Sequence, residues 1–185
     1  GATYRSNINP SNTADVIGDY AQASTDQVDL AIDAAEIAFQ RWSATGIQTR
    51  ADILEEAAAE ILRRREELGT LLAREEGKIL AESIGEVTRA GQIFRFFAGE
   101  VLRNSGEHIE SVRPGITIDT VREPLGPIGI ITPWNFPIAI PAWKIAPALA
   151  FGNSVVFKPA ELVPGCAWEL TDILQRAGLP DGVLN

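Results

Sequence analysis

The chain reads as an α/β fold: a Rossmann-like parallel sheet behind an N-terminal layer of helices, with a β-hairpin projecting between them. Three observations carry this reading. Four amphipathic segments of helical period run from Ser24 to Val101. From Leu125 onward, two short β-branched runs, Ile128–Thr132 and Ser154–Phe157, flank a helix-length apolar segment that ends at Phe151. That arrangement is one βαβ unit of a parallel sheet. Between these two regions, Gly115–Val121 alternates apolar and polar residues behind a Pro114-Gly115 turn, as an exposed hairpin strand does.

Each element has a local cause. Residues 1–23 carry alternating and turn-forming stretches that predict one or two short strands. Ser24-Thr25-Asp26-Gln27 is a capping box that starts helix one, whose expected buried stripe is Val28, Ile32, Ala35, Phe39 and Trp42. Thr49 with Asp52 is expected to start helix two, which carries Ile53, Ala57 and Ile61. Leu68, Leu71 and Leu72 mark helix three, stopped near Gly77. Leu80, Ile84, Val87, Gly91, Phe94 and Val101 form the stripe of helix four. The final section predicts helix, turn and strand, with Pro164 in a first helical turn, Gly178 at the helix end and Val183-Leu184 opening another strand. No internal repeat or low-complexity segment is present.

Pro124–Trp143 contains no charge, long enough to suggest a membrane span. It also holds five prolines (Pro124, Pro127, Pro133, Pro137 and Pro141), two glycines and Asn135, which fit a buried strand–turn–helix and not a lipid-facing helix. The 185 residues suffice for one sizeable core, and 22% charged residues argue against disorder. A net charge of −9 disfavours nucleic acid or an anionic membrane as partner, because phosphate attraction needs a basic face. One Cys and one His form neither a zinc site nor a disulfide framework, so no metal is expected. With no signal pattern at the start, a cytoplasmic location is the expectation.

The polar residues of the βαβ unit fall where open α/β sheets bind ligands, at the carboxyl ends of strands. Asn135 follows the first strand; Lys158 and Glu161 follow the second. On residue chemistry alone Asn135 is either a cap for the following helix or an amide donor to a ligand. Lys158 and Glu161 are either a surface pair or hydrogen-bonding partners for sugar hydroxyls, and Lys144 is a cation that could pair with an acid. Glu82 and Glu86, four apart beside Arg89, are expected on a solvated face. Phe94, Phe96 and Phe97 are expected in the core and His108 in a structural role. Cys166 lies near a helix N-terminus, where the dipole lowers a thiol pKa, yet no base neighbours it in sequence; a buried small hydrophobe is expected. The hairpin has an edge that needs cover, and both a simple surface hairpin and an assembly surface are open.

ITPWNFP, the lysine of AWK nine residues after Asn135, PALAFGN and KPAE together resemble the aldehyde dehydrogenase superfamily. EEGKILAESIGEV upstream and AGLPDGVLN downstream fit the same pattern over nearly the whole chain. FFAGE, SVRPG, REPLGPIGIITPWNFPIAIPAWKIAPALAFGN and VPGCAWEL are most similar to its α-ketoglutaric semialdehyde (2,5-dioxopentanoate) branch, near the succinate semialdehyde branch.

The resemblance implies an N-terminal fragment without the catalytic domain, since the family's nucleophilic cysteine and general-base glutamate fall after Asn185. The absence of Met and the initial Gly1 also suggest a processed or incomplete chain. The division it implies is 1–105 as the N-terminal part of a cofactor-binding domain, 106–124 as an oligomerisation hairpin and 125–185 as the first βαβ units of that domain. It assigns Asn135 to an oxyanion and Lys144 to a proton path, and it places Ile131, Thr132, Pro133, Trp134, Lys158, Ala160 and Glu161 against NAD, with NADP possible. It further implies a small aldehyde substrate, a cysteine thioester and a homo-oligomer. If 185 residues are the whole protein, the alternative is a non-catalytic dinucleotide-binding or assembly module.

Overall fold

The computed structural model describes residues 3–185; Gly1 and Ala2, which belong to the stretch expected to hold strands, lie outside the described residues. Strands β1 (Thr3–Ile8) and β2 (Val16–Gln22) pair antiparallel with a register shift between Asn7 and Ile8. Asp15, just before β2, takes two hydrogen bonds from Arg74, 2.6 Å to Nη2 and 3.0 Å to Nε. These bonds, with one from Asn9 Nδ2 at 3.0 Å, hold its carboxyl at about 2, below the usual carboxylate range. A depressed carboxylate stabilises the fold above its unfolded pKa, and that stabilisation is lost as pH falls through the folded value. The docking of β1–β2 should therefore loosen from about pH 4 down to about pH 2. Amide exchange measured across that window should show it, and Asp15→Asn should remove the pH dependence.

Four helices follow: α1 (Thr25–Trp42), α2 (Ile47–Arg63), α3 (Arg65–Glu76) and α4 (Leu80–Val101). The capping box at Ser24 forms as its residues require, with Ser24 and Gln27 exchanging side-chain and main-chain bonds. The stripe expected on α1 is only half correct. Ala35 and Trp42 are buried, but Val28 and Ile32 are exposed, because α1 packs on the sheet through its C-terminal half. There Ala35 O accepts from Ser154 Oγ at 2.7 Å, and Trp42 Nε1 donates to Leu149 O at 3.2 Å. Helix α2 starts at Ile47 and not at Thr49: Gly46, extended at the N-cap, gives its carbonyl to Arg50 N. Its face Ile53, Ala57 and Ile61 is buried as expected. Gly77 ends α3 with φ +86°, a left-handed cap that a side chain would strain.

Helix α4 crosses α2 closely. A Cβ on Gly91 would lie 2.7 Å from Leu62 Cγ, so the glycine on the α4 stripe sets how near the two helices approach. Phe94 is buried beside it. Phe96, expected in the core, is exposed, and its ring meets the half-buried Phe97 edge-on at 5.1 Å. Adjacent residues on a helix point about 100° apart, so Phe94, Phe96 and Phe97 cannot all face one core.

The hairpin is β3 (Glu107–Glu110) and β4 (Thr117–Thr120), antiparallel, with every residue of both strands exposed. His108 contacts Asp119 across it at 2.5 Å. The parallel pair then forms as predicted: β5 (Pro127–Ile131) and β6 (Ser154–Lys158) run in register Ile128↔Val155 to Ile131↔Lys158. Helix α5 (Ala139–Ala150) crosses between them, and α6 (Pro164–Arg176) leads to a further parallel bridge, Val155↔Leu184. Pro124–Trp143 thus spans strand, loop and helix start, and no helix among the described residues is long and apolar enough to cross a membrane. Asn153 locks the entry to this sheet: its Oδ1 accepts from Leu125 N at 2.6 Å and Gly126 N at 3.1 Å, and its Nδ2 donates to Ala148 O.

Candidate active site

The carboxyl ends of β5 and β6 lie side by side because the strands are parallel and hydrogen-bonded, which brings ITPWNFP next to KPAE. Thr132, buried, donates its N–H to Lys158 O at 3.3 Å. Ile131 and Trp134 are exposed, 70% and 54%, leaving an uncovered apolar surface at the strand ends. Pro133 is exposed with them. Lys144, one turn into α5, donates from Nζ to Ile131 O at 2.8 Å, so it pairs with a strand carbonyl and not with an acid. Lys158 and Glu161 face solvent 3.5 Å apart. Glu161's own backbone amide and the Lys158 charge hold its carboxyl below the usual range. Ala160 is buried like Thr132, so neither side chain faces solvent.

Asn135 is exposed on the loop between β5 and α5, and its side chain has no hydrogen-bond partner among the described residues. The helix-cap role open to it on residue chemistry belongs to another residue. The N-cap position of α5 is Ile138, and the amides of Ile138 and Ala139 both donate to Glu86 Oε1, at 3.1 and 3.2 Å. Glu86 was expected on a solvated face; it is 5% exposed. The reason is tertiary: α4 carries this carboxylate against the N-terminus of α5, where free amides and the helix dipole stabilise it. Its other oxygen accepts from Lys78 Nζ at 2.7 Å. Lys78 also donates to the Asn135 carbonyl at 3.0 Å and lies 4.2 Å from the centre of the Phe136 ring. Burial works against the Lys78 charge, yet Glu86 and Glu76 outweigh it and its pKa is raised. One buried ion pair thus holds the Asn135 loop at its middle, through the Asn135 carbonyl, and at its α5 end.

A second buried carboxylate does the same for α6. Glu75, 3% exposed, accepts from Gly165 N and Cys166 N at 2.8 Å each and from Asn7 Nδ2 at 2.7 Å. Burial raises its carboxyl, with those hydrogen bonds pulling the other way. Cys166 is fully buried, and burial together with the Glu75 carboxylate pushes its thiol well up, overriding the helix dipole. It is the small buried hydrophobe expected of it. Neither Glu75 nor Glu86 could be singled out from sequence, where EEGK and ESIGE look like ordinary helix surface.

The model of the aldehyde dehydrogenase family matches residues 2–185. The chain belongs to the aldehyde dehydrogenase family. Among curated relatives, it is 44% identical over 177 residues to an alpha-ketoglutarate semialdehyde dehydrogenase of Haloferax volcanii, covering 96% of this chain and 37% of that protein. It is 41% identical over 178 residues to a 2,5-dioxopentanoate dehydrogenase of Saccharolobus solfataricus, with 96% and 37% covered. Among solved structures, a betaine aldehyde dehydrogenase of Staphylococcus aureus in complex with NAD+ superposes with TM-score 0.95 at 36% identity, covering 99% of this chain and 38% of that one. The chain therefore corresponds to the N-terminal portion of these enzymes and spans about 37% of the length of the curated relatives. Its α/β fold is the family's.

Proposed function

We propose that this chain is the N-terminal, cofactor-binding part of an NAD(P)-dependent aldehyde dehydrogenase that oxidises a small carboxylated semialdehyde, such as α-ketoglutaric semialdehyde, to its acid through a cysteine thioester. The observation that carries the proposal is the adjacency of the Asn135 loop and the Lys158–Glu161 pair at the ends of two bonded parallel strands. An unpartnered amide donor and a donor–acceptor pair at neighbouring strand ends support this reading, because open α/β sheets bind dinucleotides outside the carboxyl ends of their strands.

The residues present fit a dinucleotide. Glu161 is an exposed acceptor for ribose hydroxyls and Lys158 an exposed donor, while Ile131, Pro133 and Trp134 supply uncovered apolar surface. A bound nicotinamide supplies a hydride acceptor. The protein's share is to orient the reacting groups and hold developing charge. Asn135 donates its side-chain amide to the oxyanion formed when a thiolate attacks the aldehyde carbon. Lys144, held on the Ile131 carbonyl, is the cation for a proton path. The division at 105 and 124 and an assembly role for the hairpin belong to the same proposal; the exposed Ile109, Ile116 and Ile118 support a homo-oligomer.

One set of assays tests it. A protein of full family length carrying this chain should reduce NAD in preference to NADP, because the Glu161 carboxylate bonds a 2′-hydroxyl and repels a 2′-phosphate. Glu161→Gln should narrow the kcat/KM ratio between the two cofactors. The 185-residue chain alone should oxidise no aldehyde. Equal use of both cofactors by the parent would remove the role of Glu161. Turnover by the chain alone, abolished by Cys166→Ser, would overturn the division of labour.

A further inference from the structure

Arg5 is exposed on β1 and has no ion pair or side-chain hydrogen bond among the described residues. Its surroundings follow from strand geometry. Side chains two apart on a strand share a face, and so do residues paired across a ladder. Arg5 is therefore on the face that carries Asn7 on β1 and Tyr20, its partner in the register, on β2. Both neighbours show what this face packs against. Asn7 Nδ2 donates to Glu75 Oε2 at 2.7 Å, and the same oxygen accepts from Gly165 N at 2.8 Å. The Tyr20 hydroxyl lies 2.7 Å from where a Cβ on Gly165 would stand. The face thus meets the start of α6, just after the turn that carries Glu161.

Val163 N closes that turn on Ala160 O at 3.3 Å, which leaves Glu161 at its exposed corner. The Glu161 carboxyl is lowered by its own amide and by the Lys158 charge, and the Arg5 charge adds to this. Two cations therefore approach one carboxylate from different elements, Lys158 from the end of β6 and Arg5 from β1. Lys158 already pairs with Glu161 at 3.5 Å. Arg5 brings a charge that no acid among the described residues has taken up.

We propose that Arg5 is a cofactor-specificity residue whose guanidinium binds the 2′-phosphate of NADP when the adenosine ribose lies at Lys158 and Glu161. The proposal rests on the dinucleotide-binding reading set out above and adds the group that admits the phosphate. Glu161 repels a 2′-phosphate, and Lys158, which already faces that carboxylate, offsets the repulsion only in part. A guanidinium presents parallel donors that match phosphate oxygens, and Arg keeps its charge at any working pH. In a protein of net charge −9, a group with about two further negative charges needs such a local cation. NAD carries a hydroxyl at that position and gives Arg5 nothing to bind. Glu161 therefore sets the preference for NAD, and Arg5 sets how far NADP is still used.

The test is binding without aldehyde, on a protein of full family length. Calorimetry compares adenosine 2′,5′-bisphosphate with 5′-AMP, which differ only in the 2′-phosphate. Arg5→Gln removes the charge at an exposed strand position, so folding is preserved. It should weaken the bisphosphate about tenfold, the low end for a hydrogen bond to a charged group because the site faces solvent. Binding of 5′-AMP should change less than twofold. Turnover should follow, with kcat/KM about tenfold lower for NADP, through KM, and less than twofold changed for NAD. Arg5→Lys should recover part of the loss. The same Arg5→Gln change in a Glu161→Gln protein should cost the bisphosphate as much, which separates contact with the phosphate from an effect passed through Glu161. A fall confined to the parent background, an equal fall for both nucleotides, or no fall for either overturns the assignment while leaving the dinucleotide reading in place. A parent protein that binds neither nucleotide overturns that reading, and the role of Arg5 falls with it.

Discussion

Asn135→Ala, in a protein of full family length, is expected to lower kcat by about 10²- to 10³-fold, the cost of losing one oxyanion donor. Cofactor affinity should stay near the parental value. The amide meets full negative charge only in the tetrahedral intermediate, so its loss falls on the chemical step and not on ground-state binding. The structure sharpens the accompanying stability expectation. Because Glu86, and not Asn135, satisfies the first amides of α5, the substitution removes no cap. An exposed side chain without a partner should cost no more than about 0.5 kcal/mol on removal. Melting temperature and kcat measured on the same variant decide the matter. A clearly destabilised protein with parental turnover per folded molecule would end the oxyanion assignment and return Asn135 to a structural role.

Glu86→Ala has the largest expected effect on stability. It strips the acceptor from Ile138 N and Ala139 N and leaves the Lys78 ammonium without its nearest carboxylate partner. Breaking a buried, hydrogen-bonded ion pair on one side costs about 3–5 kcal/mol, most of it the penalty for the group left behind. Denaturant unfolding should show the shift in midpoint with little change in slope. Two companions refine it. Glu86→Gln can still accept from the α5 amides and should lose less. Adding Lys78→Met to Glu86→Ala removes the orphaned charge and should recover part of the loss, so the two effects should not add. A Glu86→Ala protein within about 0.5 kcal/mol of the parent would show that the clamp does not hold the loop. Since the same pair fixes the Asn135 carbonyl, Lys78→Met should also depress kcat, through misplacement of the loop and not through lost chemistry.

What the sequence by itself determined were the features set by near neighbours in the chain. The Ser24–Gln27 capping box, the Gly77 stop of α3, the Pro114-Gly115 turn and the βαβ unit all follow from residue chemistry within a few positions, and all form. The positions of Asn135, Lys158 and Glu161 at or just after strand ends were legible for the same reason: a strand's carboxyl end can be located from its apolar run. Only the tertiary structure decided what meets what across the fold. Glu86 binds amides 52 and 53 positions later, and Glu75 binds amides 90 and 91 positions later. Periodicity reports that a carboxylate is on some face of a helix; it carries no information about which helix end is packed against that face. The same limit exposed Val28, Ile32 and Phe96 and buried Glu86. Burial of a charge depends on partners brought from elsewhere in the chain, and a helix N-terminus with its free amides is the partner that makes a buried carboxylate stable.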